Sequence, residues 1–75
     1  MHDIMENELS QIATKNEAPG FGEGAAFFFV WGRYRVRGVH HKVCTGSRIL
    51  TRRGREAIEA EALARGFTQV WFNID

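Results

Sequence analysis

The residues best suited to chemistry in this sequence form a basic run between positions 33 and 55. Eight lysines and arginines lie in these 23 residues, and no acidic residue interrupts them. They are Arg33, Arg35, Arg37, Lys42, Arg48, Arg52, Arg53 and Arg55. Seven are arginines, whose planar guanidinium pairs with phosphate through parallel hydrogen bonds and stacks on bases. This composition favours nucleic acid as the ligand.

The net charge of the whole chain conceals this segment. All nine acids and only two basic residues lie outside it, so a segment of charge +8 is set against −7 elsewhere, and the net charge is +1. Binding through such a segment would rest on phosphate neutralisation and would weaken steeply with salt. The alternative is that these side chains are simply solvated.

Three of the arginines fall in the first turn of a predicted helix. Free backbone N–H groups and partial positive charge favour an anion at that end, so Arg52, Arg53 and Arg55 could converge on one phosphate. In the alternative interpretation, Glu56 and Glu59 neutralise them at i, i+3 and i, i+4 spacing.

Another three arginines share the alternation of a strand. Residues 25–37 are rich in aromatic and β-branched types, and a continuous strand puts every odd residue from Phe27 to Arg37 on one face. Trp31 and Tyr34 are candidates to stack on a base. A bulge at Gly32 would instead exchange the two faces.

Few residues have the types and spacing that a metal site or a catalytic site requires. His40 and His41 point to opposite sides of a predicted strand and lack a fourth ligand near Cys44, so we expect no metal and no cofactor. Cys44 is expected to be a small apolar strand residue rather than a nucleophile. The acids of the second helix are typical of a solvated face. We predict that the protein is not an enzyme.

The composition predicts one small domain that resides in a reducing compartment. The chain has 75 residues, of which 44% are hydrophobic, enough for a single modest core. A single cysteine excludes an internal disulfide. We find no apolar run of about 18 residues and no signal-peptide pattern at the start. The prediction is a cytoplasmic protein without a membrane partner.

Local patterns predict an α+β fold. Residues 1–24 are expected to hold a helix from about 4 to 15 and a loop with three glycines and the only proline of the chain, loosely attached to an α+β domain over 25–75. In that domain an antiparallel β-meander over about 25–50 packs against one helix over 52–65, and a last strand follows over 68–74. Thr51 is the expected N-cap and Gly66 the expected C′ residue. The helix face toward the sheet is predicted to comprise Ala57, Ala60, Leu63, Ala64 and Phe67.

Three adjacent phenylalanines, at positions 27–29, indicate a strand that is covered on both sides. A chain this small has few residues with which to bury both sides of a strand. A homodimer or a protein partner could bury the second side.

The run from Tyr34 to Arg48, with Thr45-Gly46 near its end, and the Thr51-Arg-Arg-Gly-Arg-Glu56-Ala57 segment resemble the amino-terminal arm-binding domain of phage-type tyrosine recombinases. In that family a three-stranded sheet packs on a helix and inserts into the DNA major groove. The resemblance covers residues of about 33–66 and implies sheet contacts by Arg35, Arg37, Lys42 and Arg48. The last strand and the lack of a catalytic domain depart from the family, so only the binding mode carries over.

We therefore expect a nucleic-acid-binding protein, with double-stranded DNA favoured over RNA, that uses an Arg-rich sheet face and a helix N-terminus. The alternative is a small phage-type or regulatory interaction module, or an inhibitor, that docks the same basic residues on an acidic or nucleic-acid-binding surface of a target protein.

Overall fold

The structure is a computed structural model that describes residues 4–22 and 24–75 of the chain. These residues form α1 (Ile4–Lys15), β1 (Ala26–Val36), β2 (Val39–Cys44), β3 (Arg48–Leu50), α2 (Arg52–Ala64) and β4 (Gln69–Ile74). The predicted α+β class is confirmed, with a four-stranded antiparallel sheet. None of the described helices has the length and apolar character that a membrane span requires.

The long strand β1 is the centre of the sheet. Residues 31–33 of β1 pair with β2 and also with β4, so these two strands occupy opposite edges. Phe28 pairs with Arg48 of β3 and with Ile74 of β4, which places β3 on the same edge as β2. The third strand is thus not an added row, as a simple meander would have it, but continues β2 along β1.

A β-bulge separates β2 from β3. Trp31 lies opposite Cys44, whereas Phe28 lies opposite Arg48, so β1 advances by three residues while the other edge advances by four. The backbone N–H of Thr45 still donates to the Val30 carbonyl at 2.9 Å. One extra residue of this kind exchanges the two faces of the bulged strand beyond it.

Helix α1 belongs to the core, although the sequence suggested a loosely attached segment. Leu9, Ile12 and Ala13 are fully buried with the covered face of the sheet and with α2. At the helix–helix contact, Lys15 pairs with Glu61 at 2.6 Å and Arg65 pairs with Glu8 at 3.0 Å. A single 13-residue helix is too short to cover a sheet built on an 11-residue strand, and α1 covers the rest of the same sheet face beside α2.

The predicted contact face of α2 is wrong in phase. The structure buries Ile58 and Ala62, whereas Leu63 is 44% exposed. Ala57, Ala60 and Ala64 also face solvent. Phe67, which is buried as predicted, follows the end of the helix and therefore does not report the helical phase. The one large β-branched residue, Ile58, sets the phase, and the small alanines do not.

Both predicted caps of α2 are confirmed. Thr51 Oγ1 accepts a hydrogen bond from the backbone N–H of Gly54 at 3.0 Å. Gly66 has φ of 112°, the left-handed region that favours glycine at C′. Gly32 does not form a bulge, because the strand runs through it in register. A Cβ there would lie 2.7 Å from the Phe67 ring, so this glycine admits a close approach of the core.

Candidate functional site

The two faces of the sheet differ in what covers them. Val30 and Tyr34 of β1 are buried in one cluster with residues of both helices. The alternate residues point to the opposite side, which neither helix covers within the part of the chain that the structure describes. We call this surface the open face. It comprises Phe27, Phe29, Trp31, Arg33 and Arg35 of β1, His40, Lys42 and Cys44 of β2, Ile49 of β3, and Gln69, Trp71 and Asn73 of β4.

The strand register orders the open face from apolar to basic. The rows, from the β3 end to the β1–β2 turn, are Ile49–Phe27, Phe29–Asn73, Cys44–Trp31–Trp71, Lys42–Arg33–Gln69 and His40–Arg35. None of the strand residues, all of which the structure describes, is acidic. No acidic residue of the sheet itself therefore neutralises the positive charge of the basic rows.

The middle of the open face holds a pair of stacked tryptophans. Trp31 and Trp71 lie opposite each other on β1 and β4, with ring centroids 6.0 Å apart and ring planes 5° from parallel. The Asn73 amide, in the orientation that satisfies its hydrogen bonds, accepts from Trp31 Nε1 at 3.3 Å. Both indoles are half-buried, so the pair is held in place while part of it stays accessible.

A cation lies over each tryptophan. Lys42 Nζ is 5.3 Å from the centroid of Trp31, and Arg33 Cζ is 5.8 Å from that of Trp71. Both cations are exposed, and a contact of this kind contributes about 0.5–1 kcal/mol at an exposed site. The cations are thus placed beside the aromatic pair by weak contacts, and a phosphate could recruit them.

The basic end of the open face continues into a projecting hairpin. The pairing of β4 ends at Arg33, so residues 34–41 form a two-stranded ribbon that closes at Arg37 and Gly38. Val36 and Val39 near its tip are 47% and 57% exposed. We call residues 34–41 the basic hairpin. With Lys42 at its base it carries the exposed residues Arg35, Arg37, His40 and His41.

Arg48, one of the predicted sheet contacts, lies on the other side of the sheet. Its Nε donates to Thr14 Oγ1 at 3.2 Å and its Nη2 donates to Ser10 Oγ at 3.1 Å. The side chain therefore ties β3 to α1. Lys42 and Arg48 are both even-numbered and would share a face in a regular strand, but the bulge between them puts them on opposite faces.

The arginines at the start of α2 are also remote from the open face. Arg55 lies over the ring of Phe28, a residue of the covered face, with its Cζ 4.3 Å from the centroid. Arg52 pairs with Glu56 at 3.4 Å, and Arg53 is exposed. The eight predicted basic residues thus divide between two sides of the sheet.

The two stacking candidates have different surroundings. Trp31 is on the open face, but Tyr34 is 6% exposed, with its ring edge-on to Phe67 at 5.8 Å and stacked on His41 at 5.2 Å. Tyr34 is a core residue and is not available to a base. Trp71 is instead the second accessible aromatic residue beside Trp31. The sequence signal for it is alternation, because each tryptophan occupies a strand position between two residues that point to the core.

Cys44 lies opposite Trp31 on the open face. Burial first, and the Glu6 carboxylate second, raise the pKa of its thiol above the usual value. The thiol donates to the Thr45 carbonyl at 3.1 Å. Across residues 4–22 and 24–75, no group of three metal-ligating side chains comes together.

Comparison with protein-family models, with curated proteins and with solved structures finds no match for this chain. The resemblance to recombinase arm-binding domains is not tested by these comparisons and stays a prediction.

Proposed function

We propose that this protein is a non-enzymatic nucleic-acid-binding protein that uses the open face and the adjoining basic hairpin. The observation that carries the proposal is the placement of two exposed cations, Arg33 and Lys42, against a stacked tryptophan pair on a face without acidic strand residues. Nucleic acid offers the two matching features, a row of phosphates and planar bases. A cytoplasmic location is part of this proposal.

Charge supports an anionic ligand over a second copy of this chain. Two open faces brought together would oppose Arg33, Arg35 and Lys42 of one copy to the same residues of the other, and like charges destabilise such a contact. An acidic protein surface would meet the same cations, and this is the rival function. It differs in requiring one particular partner rather than any phosphate chain.

The proposal is tested by fluorescence anisotropy of labelled oligonucleotides at about 50 and 200 mM salt. We expect binding that weakens steeply as salt increases. Arg33→Gln with Lys42→Gln should weaken it and lower the slope of log K against log salt by about 1.4–1.8, the value for two lost phosphate contacts.

The matched control removes two charges on the helix side, by Arg52→Gln with Arg53→Gln. It should bind as the unmodified protein does. Equal losses in the two variants would contradict the open face as the binding surface. Absence of binding to any oligonucleotide at the lower salt would overturn the proposed function in favour of an acidic protein partner.

A further inference from the structure

We propose that the ligand of the open face is a single strand, whose bases stack against the Trp31–Trp71 pair while its phosphates meet Arg33 and Lys42. This inference rests on the proposed function and specifies the form of nucleic acid. It differs from the duplex preference that the sequence suggested.

The first support is the position of the aromatic rings. Trp31 and Trp71 occupy the middle row of the face, between the apolar rows and the basic rows. In a duplex the faces of the bases are already stacked on each other, so tryptophans add little to its binding. In a single strand those faces are free, and stacking on an aromatic residue changes affinity by about 5- to 150-fold per base.

The second support is that the surface expected for a duplex is not assembled. That surface required the sheet arginines, Arg48 and the N-terminus of α2 to act together. Arg48 bonds to α1, and Arg55 lies against the covered face. What remains on the open face is a compact aromatic and basic patch.

The third support is the weak attachment of the two cations to the tryptophans. Arg33 and Lys42 are exposed and touch the indoles only through cation–π contacts at 5.8 and 5.3 Å. A base that replaces a cation over an indole keeps that ring covered and frees the cation to pair with the adjoining phosphate. Trp31 is meanwhile fixed by its hydrogen bond to Asn73. The exchange therefore costs little reorganisation of the aromatic pair.

The experiment uses the intrinsic fluorescence of the protein. Its only two tryptophans are Trp31 and Trp71, so emission excited at the long-wavelength edge, where Tyr34 does not absorb, comes entirely from the proposed stacking site. Single strands of about ten nucleotides, oligo-dT and oligo-U in separate arms, are titrated against it and compared with an abasic strand of equal length and with a duplex. We expect quenching by the base-containing strands and a smaller effect of the abasic strand and the duplex.

Two substitutions at one position provide the matched variants. Trp71→Leu keeps an apolar side chain but removes the aromatic face, and should weaken single-strand binding by about 5- to 150-fold, measured by anisotropy. Trp71→Phe keeps an aromatic face and should lose clearly less. Circular dichroism of both variants verifies that the sheet is intact. The two arms, oligo-dT and oligo-U, show which of the two strands binds more tightly.

The possible failures are distinguishable. Equal affinity for the abasic strand and the base-containing strands, with no quenching, overturns base stacking and leaves phosphate binding by the open face standing. Tighter binding to the duplex than to either single strand also overturns this inference alone. No binding to any of these probes at about 50 mM salt overturns the proposed function as well.

Discussion

At the scale of single residues, Gly32 decides how closely the sheet can approach Phe67. A Cβ at this position would lie 2.7 Å from the ring of Phe67 and 3.0 Å from Leu9 Cδ2. Gly32→Ala should therefore lower the free energy of unfolding by about 1–3 kcal/mol through overpacking, measured by urea denaturation. Gly22→Ala is the control, because nothing lies within 4 Å of a Cβ there. A neutral Gly32→Ala variant would mean that the core is looser than described.

The phase of α2 gives a second prediction at this scale. Ile58 is fully buried, so Ile58→Ala should cost about 2–5 kcal/mol of unfolding free energy. Leu63 is 44% exposed, so Leu63→Ala should cost less than about 0.5 kcal/mol. Both costs are measured by chemical denaturation. If Leu63→Ala costs more than Ile58→Ala, the helix face predicted from the sequence is the correct one.

At the scale of elements, the attachment of α1 to α2 depends on charge as well as on packing. The hydrogen bond from Lys15 lowers the pKa of the Glu61 carboxyl; partial desolvation opposes this effect, and the charges of Lys15 and Arg65 reinforce it. Across the same contact, Arg65 also pairs with Glu8. A lowered pKa in the folded state contributes stability above the ordinary glutamate pKa, and this contribution is lost as pH falls through the folded value.

We therefore expect Glu61→Gln to lower the urea midpoint above about pH 5, with a difference from the unmodified protein that shrinks below about pH 4. The control is Glu59→Gln, an exposed change on the same helix, which should lower the midpoint less. A difference for Glu61→Gln that is constant across this pH range would exclude the carboxylate charge as its cause.

The elements also show what sequence patterns can specify. Alternation along β1 and β4 correctly separates covered from open residues, because one strand residue in two must enter the core. The bulge at 45–47 has no comparable signal, and it alone moves Arg48 from the side of Lys42 to the side of α1. The phase of α2 is missed because alanines fit either side of a helix. The Trp31–Trp71 pair requires the register between β1 and β4, which arises only from tertiary structure.

In the molecule as a whole, the two helices and the basic open face lie on opposite sides of the sheet. Both helices lie on one side of the sheet, and their contact is crossed by the ion pairs of Lys15 and Arg65. The opposite side presents the open face without an acidic strand residue. The buried core of this two-layer domain thus lies on the helix side of the sheet, and the opposite side is the surface that we propose for nucleic acid.

The central position of β1 has a consequence for synthesis of the chain on the ribosome. Arg33 pairs with Gln69 and Phe28 with Ile74, so each of the β1 residues from Phe28 to Arg33 finds its β4 partner 36 to 46 positions later. Until that later segment has emerged, the Phe27–Trp31 stretch of the nascent chain has one bare edge. An apolar, uncharged strand in this condition is prone to intermolecular pairing. A chain released before β4 is complete should therefore be prone to aggregation, whereas pairing with β4 protects this edge in the folded protein.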